Sequence, residues 1–412
     1  MSSDPQPALP RRLGTFDAAT FGVGSMVGAG IFVVLAPAAA AAGPALLIAL
    51  ALAASVAVCN GLSSARLAVR YPRSGGTYVY GTERLGPFWG HTAGWSFIVG
   101  KTASCAAMAL TVGHYVWPEQ ARAVAVVAVL VLTALGCAGV HRSAAVTRWM
   151  VAFVLAVLAG VVITVLGFGD AEVSHLVPHD VSTYGVLQAA GLMFFAFAGY
   201  ARIATLGEEV RDPARTIPSA VVWALGVALV VYAVVAVAVL AALGSRRLAE
   251  SDAPLVAAVS ATSVPEFGVV VTLGAAVGAL GALLALLLGV SRTTLAMARD
   301  RHLPSALAQV DARHGSPQRA QLVIGGVVAV ITALADVRAV IGFSSFGVLL
   351  YYAVTNASAW TLGTRRIVPA IGFAGCVVLA FTLPWSAVIA GVAVVAVGMI
   401  VYLSGGARAD GV

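Results

Sequence analysis

Apolar runs of about twenty residues alternate with short polar stretches along almost the whole chain. A helix crossing the hydrocarbon of a bilayer needs about 20 such residues. The pattern predicts twelve spans: Asp17–Ala42, Pro44–Ala68, Phe88–Trp117, Ala121–Val140, Ala145–Phe168, Tyr184–Leu206, Ile217–Leu243, Val269–Met297, Ala320–Ala335, Val337–Leu362, Ile367–Leu383 and Trp385–Leu403. The ninth and eleventh are short. Asp336 and Arg338 alone divide the ninth from the tenth, and Pro384 divides the eleventh from the twelfth. The expected fold is therefore an all-α membrane protein. Met1–Phe16 is polar and Pro-rich with no apolar core, so a cytoplasmic tail is expected there and not a cleaved leader.

Composition agrees. Of 412 residues, 60% are hydrophobic and 10% charged, against about 25% charged in soluble domains. The net charge of +7 invites a nucleic-acid reading, but its distribution rejects one. With the N-terminus inside, the outer loops carry only Arg122, Arg246, Arg247 and Arg338, and most other arginines fall on the cytoplasmic side. Both termini are then cytoplasmic, the C-terminal tail being 406–412. Cys59, Cys105, Cys137 and Cys376 lie inside spans and read as small buried side chains. The seven histidines, His91, His114, His141, His175, His179, His302 and His314, scatter to span ends and loops without metal-ligand spacing. No metal or cofactor is expected, and a membrane-embedded enzyme is disfavoured.

Two spans are interrupted. Gly22–Phe32 reads GVGSMVGAGIF, with Gly22, Gly24, Gly28 and Gly30 in mid-helix. Each interior glycine costs about 1 kcal/mol against alanine. Phe194–Tyr200 reads FFAFAGY, half a chain later. Unwound backbone is tolerated in a bilayer where it lines a cavity, and paired broken helices in two halves point to a carrier site at the midplane. The first span runs inward to outward and the sixth the reverse. Residues 17–168 and 184–362 would form an inverted repeat of five plus five helices, with two more in 367–405. A break over Gly24–Gly30 offers amides to a carboxylate and carbonyls to an ammonium, and Ser25 adds a hydroxyl. Close helix packing through small residues is the competing explanation.

The chain holds one lysine, Lys101, in the third span, about 18 Å along the helix from Trp89. Such a charge costs roughly 2.5–3.5 kcal/mol to insert. It either takes part in transport or is tethered to backbone carbonyls. Arg202 lies near enough to the sixth span's end to snorkel. Glu208, Glu209, Arg211, Asp212 and Arg215 follow in GEEVRDPARTIP, either a solvated, ion-paired turn or a latch that reports conformation.

GSMVGAGIF, PRSGGTYVYGTERLG followed by Gly94–Trp95, FFAFAGYARIATLGEEVRDPARTIP and SRTTLAMARDRHLP together resemble the amino acid–polyamine–organocation superfamily of permeases. The resemblance covers Phe16 to about Trp360. It implies an alternating-access carrier of the cell membrane, with an amino acid bound by Ser25, Met26, Gly28, Ala29 and Gly30 of the first span. It places Phe195 as a gating aromatic with Phe197, Ala198 and Gly199 in the wall. Lys101, Phe195, Arg202 and Glu208 are the gating or coupling candidates, and a proton or an exchanged amino acid is the expected coupling solute. Two departures matter. Ala201 stands where many relatives carry an acid, and Phe153–Leu158 supplies no lysine where proton-coupled relatives have one. A neutral amino acid is accordingly the expected substrate. A cationic amino acid or polyamine, and a sensor that binds without turnover, are the alternatives.

Overall fold

Glycine and proline punctuate a chain that is otherwise helix. The computed structural model describes residues 13–409 except 29, 73–74, 140–143, 179–180, 205–209, 312–315 and 364, with side chains described as far as 404. The first predicted span is three helices, α1 (Thr15–Val27), α2 (Gly30–Val33) and α3 (Leu35–Ala42). Gly43 turns the chain at φ 56°, and α4 (Leu46–Arg70) returns. The loop beyond it contains α5 (Thr77–Leu85), started after Gly76 at φ 57° and stopped by Gly86 at φ 101°. Then follow α6 (Pro87–Val116), α7 (Ala121–Cys137), α8 (Ala144–Phe168), α9 (Thr183–Phe197) and the short α10 (Ala201–Ala204). The remainder is α11 (Pro213–Glu250), α12 (Pro254–Ser260), α13 (Phe267–Arg299), α14 (Gln318–Leu334), α15 (Val337–Trp360), α16 (Ile367–Phe381) and α17 (Trp385–Ala409).

Among the described residues, ten helical stretches are long and apolar enough to cross a membrane. α14 and α16, the predicted ninth and eleventh spans, are apolar but shorter than the rest. The seventh span is longer than its apolar core suggests. It runs to Glu250 across a kink at Gly244, and Pro213 and Pro218, expected in a turn, lie within its first two turns. Proline lacks the N–H that a helix's first turn leaves unused anyway, so Pro213 starts α11. The loop before it is pinned where the Arg211 amide donates to Leu13 O over 2.8 Å, and Arg215 sits 3.8 Å from Asp212.

Burial sorts the helices into centre and rim. α6 is almost wholly covered, packing on α5, α7, α13, α15 and α17. α7 and α17 are mostly exposed, and their outer faces are apolar, as a lipid-facing surface requires. The interrupted α1–α2 and α9–α10 lie inside, against α11, α13 and each other.

Candidate functional site

The two interruptions touch. α1 persists through Val27, turns at Gly28 and resumes at Gly30. α9 ends at Phe197, tightens into a 3-10 turn over Ala198–Tyr200 and continues as α10. Gly199 lies on the Ser25–Met26 peptide: a methyl group there would stand 2.5 Å from Ser25 O and 2.6 Å from Met26 N. At Gly30 a methyl would stand 2.6 Å from Ala196 Cα, and at Gly28 it would stand 2.8 Å from Ala282 Cβ and 2.9 Å from Gly278 O. Gly24 and Gly22 stay helical and give Val151 and Ala224 room to approach. Close packing and chain interruption, read from the sequence as competing explanations, therefore coexist. The break is narrower than Gly24–Gly30, since α1 runs unbroken through Gly22 and Gly24 to Val27.

Carbonyls at the breaks are satisfied by long side chains from other helices. Tyr232 Oη of α11 donates to Ala196 O over 3.0 Å, and Tyr115 Oη of α6 donates to Phe32 O over 2.7 Å. Lys101 Nζ donates to Ala198 O over 3.1 Å, an oxygen that also accepts from Tyr352 Oη at 3.5 Å. A buried carbonyl without a partner would cost about 1–3 kcal/mol. These contacts hold unwound backbone in place without closing it into helix.

Beside the paired breaks lies a cavity of about 610 Å³, lined in part by Ser25, Lys101, Phe195, Ala198, Gly199 and Arg202. It runs to Gly75, Tyr78 and Pro317, at the end of the bundle where α1 starts and α4 ends. A smaller cavity of about 210 Å³ shares Ser25, Arg202 and Arg292 with it and reaches Gly28. The sequence profile described as "Amino acid permease" matches residues 13–407. The chain belongs to the amino acid permease family. It is a multi-pass membrane transport protein. An uncharacterized transporter of Mycobacterium tuberculosis is 63% identical over 400 residues, covering 96% of this chain and 91% of the relative. A branched-chain amino acid permease of Bacillus subtilis is 24% identical over 440 residues, covering 96% and 93%. A chloroplastic cationic amino acid transporter of Arabidopsis thaliana is 27% identical over 417 residues, covering 92% and 71%.

The permease brings Ser25, Gly28, Phe195, Ala198, Gly199, Lys101 and Arg202 to these cavities. Three of the expected residues are not among the lining ones. Met26 is 1% exposed in the core, one position and so 100° round the helix from Ser25. Phe197 stands two residues, about 200°, from Phe195 and packs edge-on against Tyr232, ring centroids 5.1 Å apart. Gly30 has its surface covered by Ala196. Ala29 and Glu208 lie outside the described residues. Lys101 is tethered to a backbone carbonyl, as one of its two sequence readings has it, and it also lines the cavity.

Sequence reasoning missed Arg292, which lies in SRTTLAMARDRHLP, and the capping role of Tyr115 and Tyr232. The available signal was a mid-span tyrosine, whose hydroxyl needs a partner once buried. Lys101, Arg202 and Arg292 are the charged side chains lining the two cavities, and no carboxylate lines either among the described residues.

Proposed function

We propose that the permease is a secondary active amino acid transporter working by alternating access, with a neutral amino acid as substrate. The observation that carries this reading is the contact between the two helix breaks beside a cavity large enough for an amino acid. Ser25, Gly28, Phe195, Ala198 and Gly199 form the binding region, with Phe195 as gate and Lys101 and Arg202 as coupling candidates. The last turn of a helix leaves carbonyls without intrahelical partners, and those ending α1, where Ser25, Val27 and Gly28 line a cavity, suit the substrate's ammonium.

In this reading twelve helices span the cell membrane, with α14 and α16 completing the set. Residues 17–168 and 184–362 are inverted five-helix repeats, residues 367–405 add two helices, and both termini are cytoplasmic. The arginine distribution then places the cavity mouth on the cytoplasmic side, so the arrangement is inward-facing. A cationic amino acid or polyamine is disfavoured, since no carboxylate among the described residues lines either cavity to pair with it.

A thermal-shift screen of the purified protein against amino acids and amines tests the substrate class. A ligand that favours the folded state raises apparent stability. Stabilisation by leucine or alanine but not arginine is expected; stabilisation by arginine alone would overturn the neutral assignment.

A further inference from the structure

At the cavity mouth, four helices bring together side chains far apart in the sequence. Tyr78 of α5 lines the cavity. Its hydroxyl donates to Asp300 Oδ2 over 2.6 Å and lies 3.0 Å from His302 Nδ1. One hydroxyl has one proton, and Asp300 takes it. His302 must therefore donate from Nδ1 to Tyr78 Oη, which leaves His302 Nε2 with a lone pair.

His91 of α6 lies beside it, the two rings perpendicular with centroids 5.3 Å apart. His91 is 1% exposed. Its Nε2 donates to Gly398 O of α17 over 3.1 Å, so Nδ1 also carries a lone pair, and that nitrogen is buried without a partner. Tyr402 of α17 packs on both rings, at 4.8 Å from His91 and 5.4 Å from His302. Two neighbouring imidazoles thus each present a bare nitrogen, one of them fully desolvated. Buried polar atoms are nearly always paired, so this nitrogen is an acceptor open to a donor.

We propose that His302 and His91 form a proton-binding site that fixes the cavity mouth in its open arrangement. A proton taken from water at the mouth adds to His302 Nε2, and the resulting N–H is offered to His91 Nδ1. No bond is broken, and the positive charge is balanced by Asp300 through Tyr78. The added link would tie the end of α13 to α6 while Tyr78 remains fastened to Asp300. The proposal rests on the alternating-access reading above.

The groups facing His302 are Tyr78 from α5, His91 from α6, Asp300 at the end of α13 and Tyr402 from α17, with Arg299 and Arg301 exposed on the flank. Burial lowers the His302 pKa below the usual histidine range, partly offset by the Asp300 charge. Burial raises that of Tyr78, and its hydrogen bond to Asp300 adds to this. Tyr78 therefore keeps its proton throughout, and His302 is neutral at pH 7 and charges only on the acid side. Among the described residues no group of three metal-ligating side chains is assembled, so a proton suits the pair better than a metal ion.

The test places a reporter thiol on the cavity wall by Thr293→Cys, with the four native cysteines replaced by alanine. Labelling by a polar maleimide is followed from pH 8 to pH 5, with and without His302→Gln. Taking the ratio of the two rates at each pH cancels the thiol's own ionisation. The ratio of parent to variant is expected near one at pH 8 and at least threefold higher at pH 5. His91→Gln, which keeps a donor for Gly398 O, is expected to abolish the same rise. A ratio that is flat or falls overturns the proposal, because a purely structural role shifts labelling equally at every pH. The unmutated protein labelled with ¹⁵N-histidine supplies an arm that no folding defect can spoil. Two of its seven histidine rings should titrate as a coupled pair below the usual range, and seven independent titrations would overturn the site. Neither readout needs a transported solute, so both stand apart from the amino acid assignment.

Discussion

Lys101 donates to the carbonyl of Ala198 across 3.1 Å, joining the single lysine of the chain to the turn that interrupts α9–α10. The contact reaches from the most deeply covered helix to the wall of the cavity. It supplies the hydrogen bond that unwound backbone needs, and it places the Lys101 amine on the wall of the proposed binding cavity. Lys101→Met keeps most of the unbranched stem and removes both the donor and the charge. The variant is expected to insert and migrate as folded protein on gel filtration, with amino acid flux in proteoliposomes reduced at least tenfold. Unchanged flux would remove Lys101 from the mechanism.

Substrate affinity tells Phe195 from Phe197. Phe195 lines the cavity, whereas Phe197 is 1% exposed and packs on Tyr232. Truncating a buried phenylalanine costs about 3–5 kcal/mol. Phe197→Ala should lower the melting temperature substantially. Phe195, at 7% exposure, is buried too, so Phe195→Ala should also lower it, but this variant alone should weaken substrate affinity, by about tenfold or roughly 1.4 kcal/mol. Equal effects of the two on affinity, read by ligand-induced thermal shift, would contradict the assigned geometry.

The contact between the breaks is tested by glycine. At Gly199 a methyl group meets the Ser25–Met26 backbone, whereas at Gly226 it meets nothing within 4 Å. Overpacking a fixed backbone costs about 1–3 kcal/mol. Gly199→Ala is expected to destabilise the protein and reduce transport. Gly226→Ala, mid-helix in α11, should be neutral or stabilising, since alanine is the better helix former. Equal melting temperatures for the two variants would mean that the helices are not in contact.

Tyr232→Phe deletes one hydroxyl and leaves Ala196 O without its donor. A net loss of about 1–3 kcal/mol is expected, seen as a lower melting temperature with the ring packing against Phe197 retained. No loss would mean that water or another group satisfies the carbonyl.

Ten helical stretches among the described residues were legible because bilayer thickness imposes a minimum length on a crossing helix; α14 and α16, already short as apolar runs, are the two that fall below it. The second break was legible in FFAFAGY. The first break is narrower than its glycines suggest: Gly22 and Gly24 stay helical with Ile203 and Val151 packed close to them, and sequence spacing does not distinguish a glycine that breaks a helix from one that admits a neighbour. The cavity wall was legible where a residue sits on the break itself, as Gly28 and Gly199 do. It was not legible where helix phase decides, as for Met26 and Phe197. The pairing of His91 with His302 is tertiary. Two histidines at the ends of α6 and α13 read as scattered until those helices pack together and α17 closes over them.

Counterflow tests the carrier assignment most directly. Proteoliposomes loaded with unlabelled leucine or alanine and diluted into the labelled form should accumulate label transiently, with Lys101→Met vesicles accumulating far less. Saturable binding of the same amino acid with no accumulation of label would contradict the account and leave a receptor in place of a carrier.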